Sequence, residues 1–351
     1  MRRKTLRVLA AASACAVLGA ALTACGGGSG DSGTVTLKFL NYGDWVGETE
    51  IADFENAHPG IKIKQFALPE GGSSALAAQL AKDKGVYDLV AVGNATAARL
   101  EAGKLLGDFD PATVPNLANV SQEYRDEFPW GIPTDLGKVG IIYDKQKVTD
   151  APKSWKELFD KAEQWSGKIA LPDYDLDVQA IALLALGYDI NTTDNGELAE
   201  AEQKIKDIKP HLLAFQQKGQ QTKSVIDGSA LIAVAYDYSY ASAESDKLGW
   251  ISPTEGTPGY IEGVAPVAGS KHTAEALEFL DFRLEPEIYG GFINNTGASY
   301  IVPSAEQFIE PGILENPALQ PNPNSPFLAE KFVSAEATQA RAEMWNRIKA
   351  S

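Results

Sequence analysis

Residues 169–194 read IALPDYDLDVQAIALLALGYDINTTD, and this stretch decides the fold class. A short apolar lead-in ends at Pro172, polar and acidic side chains follow, and a nearly all-apolar run continues from Val178 to Gly187. The pattern predicts a buried strand, a loop and a buried helix that ends at the glycine. A buried strand followed by a buried helix is typical of α/β proteins.

Four polar side chains stand where this helix begins: Asp173, Tyr174, Asp175 and Asp177. In one interpretation Asp175 or Asp177 is the helix N-cap and the other acids interact with the helix dipole, effects of roughly 0.5–2 kcal/mol. In the other, these groups line a ligand cleft, because open α/β sheets bind ligands at the carboxyl ends of their strands. Taken by itself, the stretch favours the first interpretation, since acidic helix starts are common.

The rest of the chain alternates predicted strands with predicted helices. Strands are predicted at residues 34–41, 61–66, 87–92, 139–143, 230–235 and 263–267. Helices are predicted at residues 49–57, 197–208 and 334–348, with others that begin at Ser73 or Ser74 and at Ser154. This alternation predicts βαβ units and a mainly parallel sheet.

Length, composition and charge narrow the class of protein. With 351 residues and 44% hydrophobic content, the chain is long enough for two domains with a substantial core. The formal charge of −16 argues against a nucleic-acid surface, which requires clustered Lys and Arg. The same charge is compatible with a cationic ligand.

The N-terminus has the pattern of a bacterial lipoprotein signal. A positive segment at residues 2–7 precedes an apolar segment at residues 8–22, and Leu22-Thr23-Ala24 leads directly to Cys25. We therefore expect a signal peptide at residues 1–24, lipidation of Cys25, and a Gly/Ser-rich tether at residues 25–33. Ordinary signal cleavage beside an incidental cysteine is the alternative. After cleavage only Cys25 remains, so neither a disulfide nor a catalytic thiol is expected.

The inventory of reactive residues disfavours most enzyme classes. The three histidines, His58, His211 and His272, lack zinc-ligand spacing, and neither a nucleophile elbow nor a P-loop sequence occurs. We therefore predict no metal and no cofactor. Asp177 and Glu262 could in principle form a glycosidase pair, so a secreted hydrolase is one alternative. A scaffold lipoprotein without a small ligand is another.

Aromatic residues accompany acids at several predicted strand ends. The clusters are Tyr42, Asp44 and Trp45; residues 173–177; residues 236–238, Tyr-Asp-Tyr; and Tyr260 with Glu262. Aromatic faces attract cations and stack on sugars, and carboxylates accept charge-assisted hydrogen bonds from ammonium groups. A cleft with this lining suits an organic amine first and a polar sugar second.

Several longer segments carry a resemblance to a known family. They are FLNYGDW at 39–45, YDLVAV at 87–92, IPTDLGKVGIIYDK at 132–145, GKIALPDYDLDVQAIALLALGYDINTTD at 167–194, ALIAVAYDYS at 230–239 and GYIEGVAPVAGSKH at 259–272. With these segments the chain resembles the solute-binding lipoproteins of bacterial ABC importers, of the spermidine/putrescine-binding type.

The resemblance implies a two-lobed, type II periplasmic-binding-protein-like fold, each lobe a mixed, mainly parallel sheet flanked by helices, with a hinge between the lobes. The first lobe would comprise residues 34–137 plus 261–306 and the second residues 138–260 plus 307–351. The protein would be a monomeric receptor and not an enzyme. It would be lipid-anchored on the outer face of the cytoplasmic membrane or in the periplasm, and would deliver a polyamine to an ABC permease and ATPase complex.

The resemblance also implies ligand-binding positions in the cleft: Tyr42, Trp45, Asp177, Tyr236, Tyr260 and Glu262, with Asp173 and Tyr174 as neighbours. The chain departs from the family pattern at several of them. Gly93-Asn94-Ala95 stands where the family has a serine and a tyrosine, Tyr174 replaces an acid, and Asp177 replaces a longer glutamate. A polyamine is the expected ligand, and another amine or an oligosaccharide is the alternative.

Overall fold

A computed structural model describes residues 33–43, 45–70, 72–243 and 245–351. The predicted signal peptide, the predicted lipidation site Cys25 and the tether up to residue 32 lie outside the described residues. In the part of the chain that is described, no helix is both long enough and apolar enough to cross a membrane.

Within these ranges the chain forms ten strands. They are β1 (Val35–Asn41), β2 (Ile61–Ala67), β3 (Leu89–Gly93), β4 (Ile132–Asp144), β5 (Ile169–Pro172), β6 (Leu212–Gln216), β7 (Ile232–Tyr236), β8 (Leu248–Ile251), β9 (Thr257–Pro266) and β10 (Phe327–Ala329).

Thirteen α-helices accompany the strands in the same described ranges. They are α1 (Glu50–Ala57), α2 (Gly72–Lys82), α3 (Asn94–Ala102), α4 (Gln122–Glu127), α5 (Trp155–Asp160), α6 (Asp175–Leu186), α7 (Asn195–Ile208), α8 (Gln220–Asp227), α9 (Asp237–Ala241), α10 (Thr273–Arg283), α11 (Pro286–Thr296), α12 (Pro311–Leu314) and α13 (Ala335–Ala350). Short 3-10 segments cover Pro111–Thr113, Pro115–Asn119, Ala162–Trp165, Lys209–His211 and Pro303–Phe308.

The strands lie in the order β2-β1-β3-β9-β4-β7-β5-β6, with β10 beside β9 and β8 beside β4. Strands β2, β1 and β3 are mutually parallel, and so are β7, β5 and β6. The two parallel blocks are connected through β9 and β4, which run antiparallel to each other and to their outer neighbours. The sheet is therefore mixed, with a parallel block at each side.

Strand β4 passes from one block to the other. Its first half, up to Lys138, pairs with β9, and its second half, from Val139, pairs with β7. The sequence predicted only residues 139–143 as strand, because Pro133 interrupts the β-rich pattern. In the structure Pro133 lies inside β4 next to an irregularity in register between Pro133 and Asp135, where a proline is tolerated.

The buried apolar side chains form separate cores on the two sides of the crossing strands. One contains Phe39, Phe54 and Phe279 among residues 37–136 and 261–309. The second contains Trp155 and the apolar run of α6, and the C-terminal helix α13 adds Met344 and Ile348. A smaller cluster lies around Ile142 and Val225. Two cores joined by crossing strands make a two-lobed α/β protein, as predicted.

Helix α6 forms within residues 169–194 almost as predicted. It is buried along Val178–Ala185 and ends at Gly187, whose φ of 84° is the left-handed conformation that glycine adopts without strain. The capping interpretation is wrong, because Tyr174 holds the N-cap position and makes no side-chain capping bond. Asp175 and Asp177 lie inside the first turn instead.

Candidate functional site

A cavity of about 380 Å³ lies where the parallel strands of both blocks end. Its lining comes from the residues that follow β1, β3, β5, β6 and β7, from the middle of β9, and from the end of β10. They are Tyr42, Gly93, Asn94, Ala95, Thr96, Pro172, Asp173, Tyr174, Leu176, Gln216, Gln217, Lys218, Tyr236, Tyr260, Glu262 and Glu330. Both the size and the position are typical of a small-ligand site in an α/β protein.

Strand β9 presents Tyr260 and Glu262 on one face, because side chains two residues apart on a strand point the same way. The Tyr42 hydroxyl donates to Glu262, with 3.0 Å between the phenol oxygen and Oε2. Gly137 on β4 pairs with Tyr260, and a Cβ added there would overlap the tyrosine ring, with the phenol oxygen 2.5 Å away. A glycine at this position therefore gives the Tyr260 ring its space.

A neighbouring part of the wall is built from β7 and the helix behind it, α6, since the Tyr236 and Tyr260 ring centroids are 6.1 Å apart. Tyr236 ends β7, and its hydroxyl donates to Oδ2 of Asp177 across 2.7 Å. Asp177 is only 2% exposed and lies behind the ring, outside the set of cavity-lining side chains. The Tyr238 ring stacks on Tyr236 with 5.3 Å between ring centroids. Asp177 therefore orients Tyr236 and places a carboxyl group behind its ring.

Asp173 and Tyr174, which were predicted as neighbours of the ligand-binding residues, also line the cavity. Asp173 is engaged, since its Oδ1 lies 2.5 Å from Nζ of Lys349 and its Oδ2 accepts from the amide of Gln217. Tyr174 is 46% exposed. These two residues form the rim rather than the buried floor of the cavity.

Trp45, the remaining predicted ligand contact, is not among the cavity-lining residues of the described chain. Its indole nitrogen lies 3.3 Å from Oδ1 of Asp135, and its ring packs edge-on against Tyr42 and Phe292. Trp45 therefore supports Tyr42 from behind. Its proximity to Tyr42 in the sequence indicated the right region, but the direction of the side chain depends on the packing of the first lobe.

The sequence did not indicate Glu330. It follows the three-residue strand β10, and the side-chain amide of Asn94 donates to the Glu330 carbonyl oxygen across 2.8 Å. The Oδ1 of Asn94 accepts from the backbone nitrogen of Ile261. Asn94 thus connects β3, β9 and the segment that contains Glu330. Glu330 is 9% exposed, and its Oε1 has no hydrogen-bond partner among the described residues.

Lys218 is the second cavity residue that the sequence did not indicate. It follows β6, an apolar LLAF run that was not predicted as a strand, so no strand end was expected there. Its Nζ lies 4.6 Å from the centroid of the Tyr238 ring and 5.2 Å from that of Tyr236. Recognition of β6 as the edge strand of the second block would have placed Lys218 beside Asp173.

Burial gives the acids of this region unusually high pKa values. It raises the pKa of Glu262 to about 8, with the neighbouring Asp135 adding to the rise, and that of Asp177 to about 7. It also raises the pKa of Asp135 and of Asp237 to about 7, and that of Glu330 well above its ordinary value. Removing carboxylates from water disfavours their charged form, and a bound cation would restore it.

The arrangement suits recognition of an organic cation. Tyrosine faces and carboxylates surround one cavity, and among the described residues no group of three or more His, Cys, Asp or Glu side chains is arranged to hold a metal ion. The pair considered for glycoside hydrolysis does not flank a common space, because Glu262 lines the cavity while Asp177 lies behind Tyr236. Both carboxyls of such a pair must reach the scissile bond.

Similar proteins are known. The spermidine/putrescine-binding periplasmic protein of Escherichia coli (strain K12) is 23% identical over 300 residues, covering 82% of this chain and 83% of that protein. The crystal structure of the spermidine/putrescine substrate-binding protein PotD from Streptococcus pneumoniae superimposes with a TM-score of 0.80 at 20% identity, covering 90% of this chain and 99% of that one. The Atu4243 GABA receptor superimposes with a TM-score of 0.71 at 18% identity, covering 90% and 97%.

Two α/β lobes joined by crossing strands, with a polar cavity at their strand ends, have the architecture of the periplasmic-binding-protein fold. The profile of the family described as "bacterial extracellular solute-binding protein" matches residues 50–321, more than half of the chain. The chain belongs to this family, which is a family of transport receptors rather than of enzymes.

Proposed function

We propose that the protein captures a cationic polyamine in the cavity between its lobes and delivers it to the permease of an ABC importer. The observation that carries the proposal is the cluster of buried acids around the tyrosine-lined cavity, foremost Glu262 with its pKa near 8. Similar proteins are named for binding spermidine and putrescine. A neutral sugar would leave these buried acids in their protonated form, whereas a bound cation would stabilise the ionised carboxylates.

In this proposal Tyr42, Tyr236 and Tyr260 supply aromatic faces, and Glu262 accepts hydrogen bonds from a ligand ammonium group. Each cation–π contact contributes about 0.5–2 kcal/mol. Asp177 acts through Tyr236. Glu330, with its unpartnered Oε1, offers a second carboxylate in the same cavity.

The experiment is calorimetric titration of the mature protein with putrescine, spermidine and a panel of neutral sugars. Polyamine binding at micromolar or tighter Kd would support the proposal, and binding of sugars alone would overturn it. Glu262→Gln should weaken the polyamine by about 1.5–3 kcal/mol, the scale of a hydrogen bond to a charged group. Glu278→Gln, an exposed acid on α10, is the matched control and should leave affinity unchanged.

The predicted anchor and lobe boundaries belong to the same proposal. We infer that residues 1–24 are removed, that Cys25 is lipidated and holds the monomeric receptor at the outer face of the membrane, and that residues 34–137 plus 261–306 close against residues 138–260 plus 307–351. Cys25→Ser should move the protein from the membrane fraction to the soluble fraction. Small-angle scattering should show a smaller radius of gyration with polyamine than without it.

A further inference from the structure

The cavity of this receptor already contains an ammonium group of its own. Lys218 directs Nζ over the rings of Tyr238 and Tyr236, at 4.6 and 5.2 Å from their centroids. The two rings stack on each other with an interplanar angle of 21°, and the ammonium group is close to both. This geometry is that of a cation–π contact, which is also how a ligand ammonium would contact Tyr236.

The charges around Lys218 are those that a bound cation would meet. Burial lowers the pKa of Lys218, and the carboxylates of Glu262, Asp177 and Asp237 oppose that lowering. Among the residues that the structure describes, no carboxylate oxygen lies within 4.0 Å of Nζ. The ammonium is held by the two rings and by the field of the acids rather than by a fixed ion pair. Lys218 is exposed to solvent, so a rotation of its side chain can withdraw the ammonium group from the rings.

We propose that Lys218 is a built-in competitor for one ammonium position of the cavity, and that it makes the receptor select short diamines over longer triamines. This inference rests on the proposed polyamine function and names the ligand class within it. With Lys218 in place, the space beside Glu262, Tyr42 and Tyr260 remains for ligand ammonium groups. A triamine would have to displace Lys218 from Tyr236 or leave one ammonium group without an aromatic partner.

The alternative role of Lys218, pairing with the carboxylate of an amino-acid ligand, fits the surroundings less well. Glu262, Glu330 and the nearby Asp177 would repel a ligand carboxylate, and Lys218 is the only lysine or arginine among the described residues that line this cavity. The excess of acidic groups around the Tyr236 and Tyr238 rings therefore favours a cation at the position that the Lys218 ammonium group occupies.

The test compares the Kd values of putrescine and spermidine for the wild type, Lys218→Met and Lys223→Met. Methionine keeps the apolar part of the lysine side chain and removes the charge. Lys223→Met is the matched control, because it removes a nearby charge from an exposed residue on α8. Lys218→Met should tighten spermidine binding about tenfold and putrescine binding much less, because the cation–π contact with the tyrosine rings becomes available to the third ammonium group. Lys223→Met should leave the ratio of the two Kd values unchanged.

An unchanged ratio in Lys218→Met, with both polyamines still bound, would overturn the role of Lys218 while leaving the polyamine function intact. Failure of every variant to bind either polyamine would overturn the polyamine function itself. Tight binding of 4-aminobutyrate that Lys218→Met abolishes would show that Lys218 receives an anion, which also overturns the inference.

A second readout does not require any ligand. Lys218 acts to lower the pKa of Glu262, so Lys218→Met should raise the pKa of the Glu262 carboxyl in an NMR titration of the ligand-free protein. Lys223→Met should not. A Glu262 pKa that is the same in the wild type and Lys218→Met would show that the ammonium group is not in the cavity.

Discussion

The hydroxyl of Tyr236 donates a 2.7 Å hydrogen bond to the buried carboxyl of Asp177, which joins the end of β7 to the first turn of α6. Asp177 is 2% exposed, and burial raises its pKa to about 7. The bond fixes the orientation of the Tyr236 ring at the cavity wall. The acidic start of α6 therefore serves the site through a second residue rather than by direct contact with the cavity.

Tyr236→Phe should lower the free energy of unfolding by about 1–3 kcal/mol, because it leaves the buried Asp177 carboxyl without its hydrogen-bond donor. Polyamine affinity should fall much less than in Tyr236→Leu, since phenylalanine keeps the aromatic face. Urea denaturation and calorimetry measure the two effects. Tyr238→Phe is the control, because the Tyr238 hydroxyl has no partner among the described residues and its removal should cost little. Equal losses of stability in the two variants would contradict the role of the bond.

The ligand-free protein should become less stable as pH rises from about 5 to about 8.5. Asp135, Asp177 and Asp237 have pKa values near 7 and Glu262 near 8 when folded, above their unfolded values. In that window the folded state binds more protons than the unfolded state, so the free energy of unfolding falls as pH rises. Each group contributes a total loss of about 1.4 kcal/mol for each unit by which its pKa is raised on folding. Denaturation midpoints at pH 5.5, 7 and 8.5 measure the trend.

Asp237→Asn tests the same trend at one position. Asp237 is 1% exposed and accepts a 2.6 Å hydrogen bond from Ser299. The amide does not ionise, so the decline in stability with pH should be shallower in this variant. Stability that rises with pH in the ligand-free wild type would refute the assignment of raised pKa values.

Polyamine binding at pH 7 should release protons. Glu262, with a pKa of about 8, is mostly protonated at that pH, and a ligand ammonium favours its ionised form. Affinity should therefore increase between pH 6 and pH 8 as less of the binding energy is used to remove the proton. Calorimetry in buffers of different ionisation enthalpy counts the protons released, and Glu262→Gln should reduce that number. Net proton uptake would be inconsistent with this description.

Gly137→Ala should damage both the fold and the site. The added Cβ would overlap the Tyr260 ring, and overpacking of this kind costs about 1–3 kcal/mol. Displacement of the ring should also weaken polyamine binding. Thermal unfolding and calorimetry measure these losses.

Gly291→Ala is the matched control for that substitution, because Gly291 lies in α11 and a Cβ there meets nothing within 4 Å. Alanine in a helix interior is favoured over glycine by roughly 0.5–1 kcal/mol. The control should therefore be neutral or slightly stabilising. If Gly137→Ala behaved in the same way, Tyr260 would not depend on close approach to β4.

Local chemistry made much of the fold predictable. The apolar run and terminal glycine of α6, the Ser154 cap of α5, and the strand-helix alternation at both ends of the sheet are all encoded by neighbouring residues. Strand ends were also visible, so Tyr42, Tyr236 and the Tyr260–Glu262 pair could be assigned to one cavity. Their assignment to the ligand remains a prediction.

Tertiary structure alone decided which side chains reach the cavity. Trp45 and Asp177 lie close in sequence to cavity residues but turn into the protein, while Lys218 and Glu330 follow the short strands β6 and β10, which were not predicted. The first half of β4 was not predicted either, because Pro133 interrupts its sequence pattern. The physical reason is that strand pairing joins residues far apart in the chain. Burial of a carboxylate, and with it its pKa, depends on what those distant segments place around it. Local sequence therefore encodes the helices, the strands and the chemistry at their ends, whereas the packing of distant segments selects the groups that meet in the cavity.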